Sequence, residues 1–290
     1  MRSLNPRGRA FGATQSKSSQ LYKQGEFMWK RFGSLALAAI LPLLPMASAQ
    51  AQIGISPIII ETQESDGQSQ ATINVINNTN APFRARVYAE SFTYDKEKGF
   101  NIIPQNNESL VPYLKFSPRE LNVPAGVTRR VRLSVQLPPN LPAGEYRSAI
   151  FTENLEQQQQ TNSKGALTTI STRIGVVMFV RKGEGAAKVT ITTATWNPAK
   201  NQILVTMNNA GKASAFPAVN WTITQAGTKV KTGKIDASGI IANSDRDVKI
   251  NLSEQDLKLK PGNYKLSGEL SWGEQEAKTT APFTVEVTIK

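Results

Sequence analysis

The side chains that carry most covalent chemistry are missing from this sequence. Its 290 residues include no cysteine and no histidine. That excludes Cys/His nucleophiles, Ser-His-Asp triads, the commonest zinc ligand sets and every disulfide. Asp and Glu are scattered, with no paired carboxylates at strand ends, no phosphate-cradling loop and no metal cluster. No enzymatic activity, cofactor or metal is expected. What remains is the chemistry of the backbone, whose N–H and C=O groups can pair with another chain along an open strand edge. The stretch from Ala166 to Arg181, rich in Thr, Ile and Val, has the extended propensity this requires.

The formal charge of +12 comes from 34 basic and 22 acidic residues. Residues 1–51 hold seven of the bases and one of the acids, so the remainder carries only +6. There the bases lie among acids, as on a solvated surface, with no basic and aromatic stripe for nucleic acid. Arg129, Arg130 and Arg132 read as the outer face of a strand.

Met28-Trp29-Lys30-Arg31 opens a charged segment, followed by an apolar run from Leu35 to Met46 and the small residues Ala47-Ser48-Ala49. This is the pattern of a secretory signal over 28–51. The run is too short to span a bilayer stably and contains Pro42 and Pro45. Residues 1–27 read as a spurious extension with Met28 the true start. The mature chain is expected to be soluble and exported, with no stable membrane insertion after processing.

Beyond residue 52 one strand follows another. Val131, Leu133 and Val135 alternate with Arg130, Arg132 and Ser134; Val219, Trp221 and Ile223 alternate with Asn220, Thr222 and Thr224. Period two buries one face and wets the other. Turn clusters such as Asn77-Asn78-Thr79-Asn80 and Asn208-Asn209-Ala210-Gly211 separate the runs. Helix is confined to one turn at most, Glu254 to Lys258. Short strands at regular spacing predict an all-β chain.

A repeat counts the units. Arg130-Val131-Arg132-Leu133 precedes Leu141-Pro142-Ala143-Gly144-Glu145-Tyr146-Arg147, and Asp247-Val248-Lys249-Ile250 precedes Leu259-Lys260-Pro261-Gly262-Asn263-Tyr264-Lys265. A Tyr just after a Gly turn can bury its ring and return its hydroxyl to upstream backbone, the tyrosine corner of immunoglobulin-like sandwiches. Two such β-sandwich domains are predicted, at 53–182 and 186–290. Gln157 to Gln160 belongs to a loop, 156–165, before the long last strand of the first domain. Gly183-Glu184-Gly185 marks the hinge, where Arg181 is placed for an interdomain contact.

The first domain resembles the periplasmic pilus-assembly chaperones, the PapD-like family. The resemblance runs in order through Ile53-Gly54-Ile55-Ser56-Pro57-Ile58, Val75-Ile76-Asn77-Asn78, Pro82-Phe83-Arg84-Ala85-Arg86-Val87, Phe116-Ser117-Pro118 to Gly126, the Leu141 to Ser148 corner, and Ser171-Thr172-Arg173-Ile174 with Phe179-Val180-Arg181. The second domain is similar, over Gly211 to Thr222, to C-terminal domains of cyanobacterial PapD-like proteins. The resemblance implies a chaperone that lends its last strand to an incomplete β-rich subunit such as a pilin and delivers it to an outer-membrane usher. It makes Ala166, Thr168, Ile170, Thr172 and Ile174 the donated face and Arg173 the anchor for the subunit's terminal carboxylate. The family uses two bases for that anchor; the first strand here reads Ile58-Ile59-Ile60-Glu61 and offers none. The rival reading of the same residues is an exported structural or adhesive protein whose sandwiches present surface loops.

Overall fold

The structure is a computed structural model that describes residues 53–156, 158–161, 167–252, 259–273 and 278–290. The expected leader, Ala166 and the expected turn at 254–258 lie outside the described residues. The described residues belong to one compact unit, and it contains two sandwiches, as the repeat predicts.

The first sandwich packs a four-stranded sheet on a five-stranded one. The smaller sheet runs β1 (Ile53–Ser56), β3 (Gln68–Asn77), β9 (Thr128–Gln136), β7 (Leu114–Ser117). The larger runs β2 (Ile59–Gln63), β13 (Arg173–Lys182), β10 (Gly144–Asn154), β4 (Phe83–Glu90), β8 (Glu120–Val123). Alternation places Ile73, Val75, Val131, Leu133 and Val176 between the sheets, all under 2% exposed. Two hairpins stand apart, β5 (Phe92–Asp95) with β6 (Gly99–Ile102), and β11 (Gln158–Thr161) with β12 (Leu167–Ile170).

In the second sandwich, β14 (Val189–Asn197), β15 (Gln202–Asn209) and β18 (Ser244–Asn251) face β17 (Thr228–Ile235), β16 (Ala218–Gln225), β19 (Gly262–Trp272) and β20 (Thr279–Ile289). Ile203, Met207, Ile223 and Leu266 fill its core.

Both tyrosine corners are formed. Tyr146 Oη donates to the Pro142 carbonyl at 2.7 Å and Tyr264 Oη to the Lys260 carbonyl at 2.8 Å. A second repeated device was read only as turn chemistry. Asn77, 1% exposed, donates to the carbonyls of Ala81 and Val123 at 2.8 and 2.9 Å. Asn209, fully buried, donates likewise to Ala213 and Ile241 at 2.8 and 3.1 Å. Each amide satisfies carbonyls that burial would otherwise strip of water.

The expectation of one long strand over Ala166 to Arg181 is corrected. The run breaks at Ser171-Thr172: Leu167–Ile170 pairs with the Gln tract, and β13 begins at Arg173. The Gln tract, expected as loop, therefore contributes a strand at Gln158–Thr161. Nor is β13 an edge along its length, because β2 runs parallel to it from Val177↔Ile59 to Arg181↔Gln63.

Candidate partner-binding edge

The open stretch of β13 is defined by where β2 stops. Val177 N donates to the Ile58 carbonyl at 3.0 Å. Because alternate residues of a strand turn their N–H and C=O to opposite sides, Gly175 and Arg173 present theirs to the same side as Val177. Among the described strands none is paired with them there; their partner on the other side is β10, at Phe151 and Glu153. Ile58, 60% exposed, stands at the corner where β2 leaves off.

The expected donor face is not one continuous row. Thr168 and Ile170 lie on β12, paired with Gln160 and Gln158. Thr172 is exposed in the break, its carbonyl accepting from Asn154 N at 2.9 Å. Ile174 lies half-buried on β13 opposite Thr152, two residues before the fully buried Val176.

Arg173 is already engaged. Its guanidinium donates to Tyr88 Oη at 3.0 Å, lies 3.8 Å from a Glu90 carboxylate oxygen and covers the Phe151 ring at 4.6 Å. Gly175 leaves room for that ring, since a Cβ there would sit 2.9 Å from Phe151 Cε1. Sequence reading treats Arg173 as a lone cation because its partners come from β4 and β10, 20 residues or more away along the chain.

Arg181 pairs with Glu61 at 3.3 Å, and Glu61 is on β2 of the same sandwich. The expected interdomain contact is thus not an ion pair across the sandwiches. Arg181 instead lines a cleft of about 570 Å³ together with Ser214, Phe216 and Trp272 of the second sandwich.

The bonds that do cross were missed. Glu145, 7% exposed, accepts hydrogen bonds from Ser214 N, at 2.8 Å, and from Ser214 Oγ. Arg246 donates to the Asp95 carbonyl at 2.7 Å, and Asp247 N to the Lys96 carbonyl at 2.8 Å. The β5–β6 hairpin so grips the second sandwich, and Phe216 inserts its ring beside Tyr94 and Phe179, with centroids 6.1 and 5.7 Å away. Glu145 was legible only as part of a turn; a carboxylate inside an otherwise apolar corner was the available signal.

No protein-family model matches the chain, and no curated protein matches it. Among solved structures it is similar to the YadV chaperone, at 13% identity and a TM-score of 0.49, over 81% of this chain and 100% of that one. It is also similar to the CsuC–CsuE chaperone–tip adhesion subunit complex from archaic chaperone-usher pili of Acinetobacter baumannii, at 12% identity and 0.45, over 83% and 100%. A third likeness is the Pseudomonas aeruginosa CupB2 chaperone, at 11% identity and 0.45, over 80% and 99%.

Two groups give the contact between the sandwiches a pH dependence. Burial pushes the Glu145 carboxyl above its ordinary value, an effect opposed by the Ser214 bonds and by Arg147 and Arg181. A carboxyl raised in the fold contributes stability that is present at pH values below its ordinary range and is lost as pH rises through its folded pKa. Burial also pushes the Tyr94 phenol from 10.0 up to about 12, with Arg246 pulling it down. Its contribution is intact below pH 10 and is lost between there and about 12, costing roughly 2–3 kcal/mol. Melting temperatures measured across pH should show both limbs. Glu145→Gln should flatten the first and Tyr94→Phe the second; slopes unchanged in the variants would assign them to other groups.

Proposed function

We propose that this chain is an exported chaperone that captures an incomplete β-rich subunit, such as a pilin, by strand addition at the β12–β13 segment. The observation that carries the reading is the unpaired edge at Arg173 and Gly175. Several other sheet edges are guarded against pairing, and β18 is partly covered where Asp247 N bonds the Lys96 carbonyl. Lys229 and Lys234 guard β17, a register shift at Ile191/Thr193 guards β14, and Pro282 guards β20. Strands β1, β7 and β8 have four residues each. The open edge has a glycine at its centre and the exposed Ile58 beside it.

A subunit strand laid along this edge pairs with the outward N–H and C=O groups of Arg173 and Gly175 and continues toward Ile170 and Thr168. Ala166, Thr168, Ile170, Thr172 and Ile174 supply the contact side chains. Arg173 holds a terminal carboxylate by exchanging Glu90, its more distant partner, for the subunit. Capture involves no covalent step. The signal-like segment at 28–51 supports export and a periplasmic site of action, with an outer-membrane usher as the next partner. Among the described residues no helix is long and apolar enough to cross a membrane. The second sandwich's Gly211 to Thr222 segment supports placing the chain in a divergent, cyanobacterial-type branch of the PapD-like group.

Ile170→Pro tests the reading. Proline removes a backbone donor and strains the strand, and Ile170 lies in a two-stranded hairpin outside both sandwiches. Partner capture from a periplasmic extract should be abolished while the melting temperature moves by only a few degrees. Capture that persists would make the chain an exported structural or adhesive protein instead.

A further inference from the structure

Charge is divided unequally between the two sheets of the first sandwich. On the larger sheet the arginines are paired: Arg84 with Glu120 at 3.2 Å, Arg86 with Glu153 at 2.7 Å, Arg173 with Glu90 at 3.8 Å and Arg181 with Glu61 at 3.3 Å. Buried Arg147 is paired with Glu108. The outer face of the smaller sheet carries Arg130 and Arg132 on β9 and Lys115 on β7, whereas Arg129, registered opposite buried Val75, belongs to the inner face rather than the outer one expected for it. Arg130, Arg132 and Lys115 are exposed, and among the described residues no side chain bonds or ion-pairs with them.

Register gathers them onto one face. Val131, Leu133, Val135 and Leu114 are buried, which turns Arg130, Arg132 and Lys115 outward. Arg132 lies between Thr72 and Ser117, Arg130 beside Asn74, and Lys115 beside Ser134. No outward position on β3, β9 or β7 is a carboxylate. Arg130 and Arg132, two residues apart on one strand, stand about 7 Å from each other and repel with no acid to offset them.

We infer that this face docks on an anionic phospholipid bilayer. Three cations on a flat sheet, separated by hydroxyl and amide side chains, meet several headgroup phosphates at once. Guanidinium forks and the lysine ammonium take phosphate oxygens, and the hydroxyls and amides complete the hydrogen bonding. The face belongs to the sheet opposite β13, so a bilayer and a captured strand occupy different sides of the sandwich. The inference is independent of strand capture and can fail without it.

The test is cosedimentation of the protein, purified after export, with vesicles of phosphatidylcholine alone or mixed with phosphatidylglycerol. Binding should require phosphatidylglycerol and weaken with salt. Each cation near an anionic surface contributes about fivefold, so combining Lys115→Ser, Arg130→Ser and Arg132→Ser should lower partitioning on the order of 100-fold. Arg84→Ser, on the other sheet, should leave it unchanged, and the melting temperature of the triple variant should match the parent. Equal binding to both vesicle types would overturn the inference. So would a folded triple variant that binds like the parent, or retention on polyglutamate or DNA without vesicle binding.

Discussion

Gly268→Ala is expected to prevent the second sandwich from folding while the first still forms. Gly268 lies on β19 directly opposite Trp221 of β16, the two inner strands of their sheet. A Cβ there would fall well inside contact distance of the Asn220 carbonyl oxygen, and 2.9 Å from Trp221 Cα. Both obstacles are backbone, so no rotamer change relieves them. Either β16 and β19 part, losing their ladder and the Ile223–Leu266 core beneath, or the methyl is not accommodated. The cost should exceed about 4 kcal/mol, in the range of severe overpacking. The readout is built in. Of the four tryptophans, Trp196, Trp221 and Trp272 are in this sandwich and Trp29 is in the expected leader. Tryptophan emission of the variant prepared without residues 1–51 should therefore shift to that of solvated indole, while circular dichroism keeps the strand signal of the first sandwich. A native emission spectrum would show that β16 and β19 can yield.

Gly239→Val should prise the two sandwiches apart with each still folded. The Gly239 Cα rests on the Tyr94 ring, and a Cβ would sit 2.5 Å from Cε2 and 2.9 Å from Cε1. Tyr94 cannot swing aside, because Phe92, Phe100 and Phe216 hold it edge-on at 5.6, 6.1 and 6.1 Å. The strain is relieved by lifting the β5–β6 hairpin, which breaks the Arg246 bonds to Asp95 and Lys96. Overpacking and the lost bonds together should cost about 3–4 kcal/mol of inter-sandwich contact. Small-angle scattering should report a larger radius of gyration, and protease should cut near Gly183 and Gly185. An unchanged radius with unchanged protease resistance would place the main contact elsewhere.

The two folds were legible because their rules are local. Period two at Val131, Leu133 and Val135 names a buried face whatever the topology, and Gly144-Glu145-Tyr146 repeats as Gly262-Asn263-Tyr264, so one corner explains the other. The break at Ser171-Thr172 was not legible. Both flanks have extended propensity, and only the pairing of Gln158 with Ile170 separates them. The engagement of Arg173 escaped for a related reason: Tyr88, Glu90 and Phe151 reach it through sheet register, which residue type does not announce. Glu145 and Ser214, 69 residues apart, meet because two sandwiches close on each other. That closure depends on shape, and no spacing rule encodes it.

The N-terminal strand also determines how the first sandwich bears load. β1 belongs to one sheet and β2, after Pro57, to the other, where β2 runs parallel to β13 over five residue pairs. Tension drawn between the start of β2 and the end of β13 pulls parallel neighbours in opposite directions along their axes. Their cross-strand bonds must then slip together in shear; an antiparallel hairpin pulled from its open end unzips them singly. The β2–β13 edge therefore resists axial load as one block, and the antiparallel β11–β12 hairpin, pulled from its open end, does not.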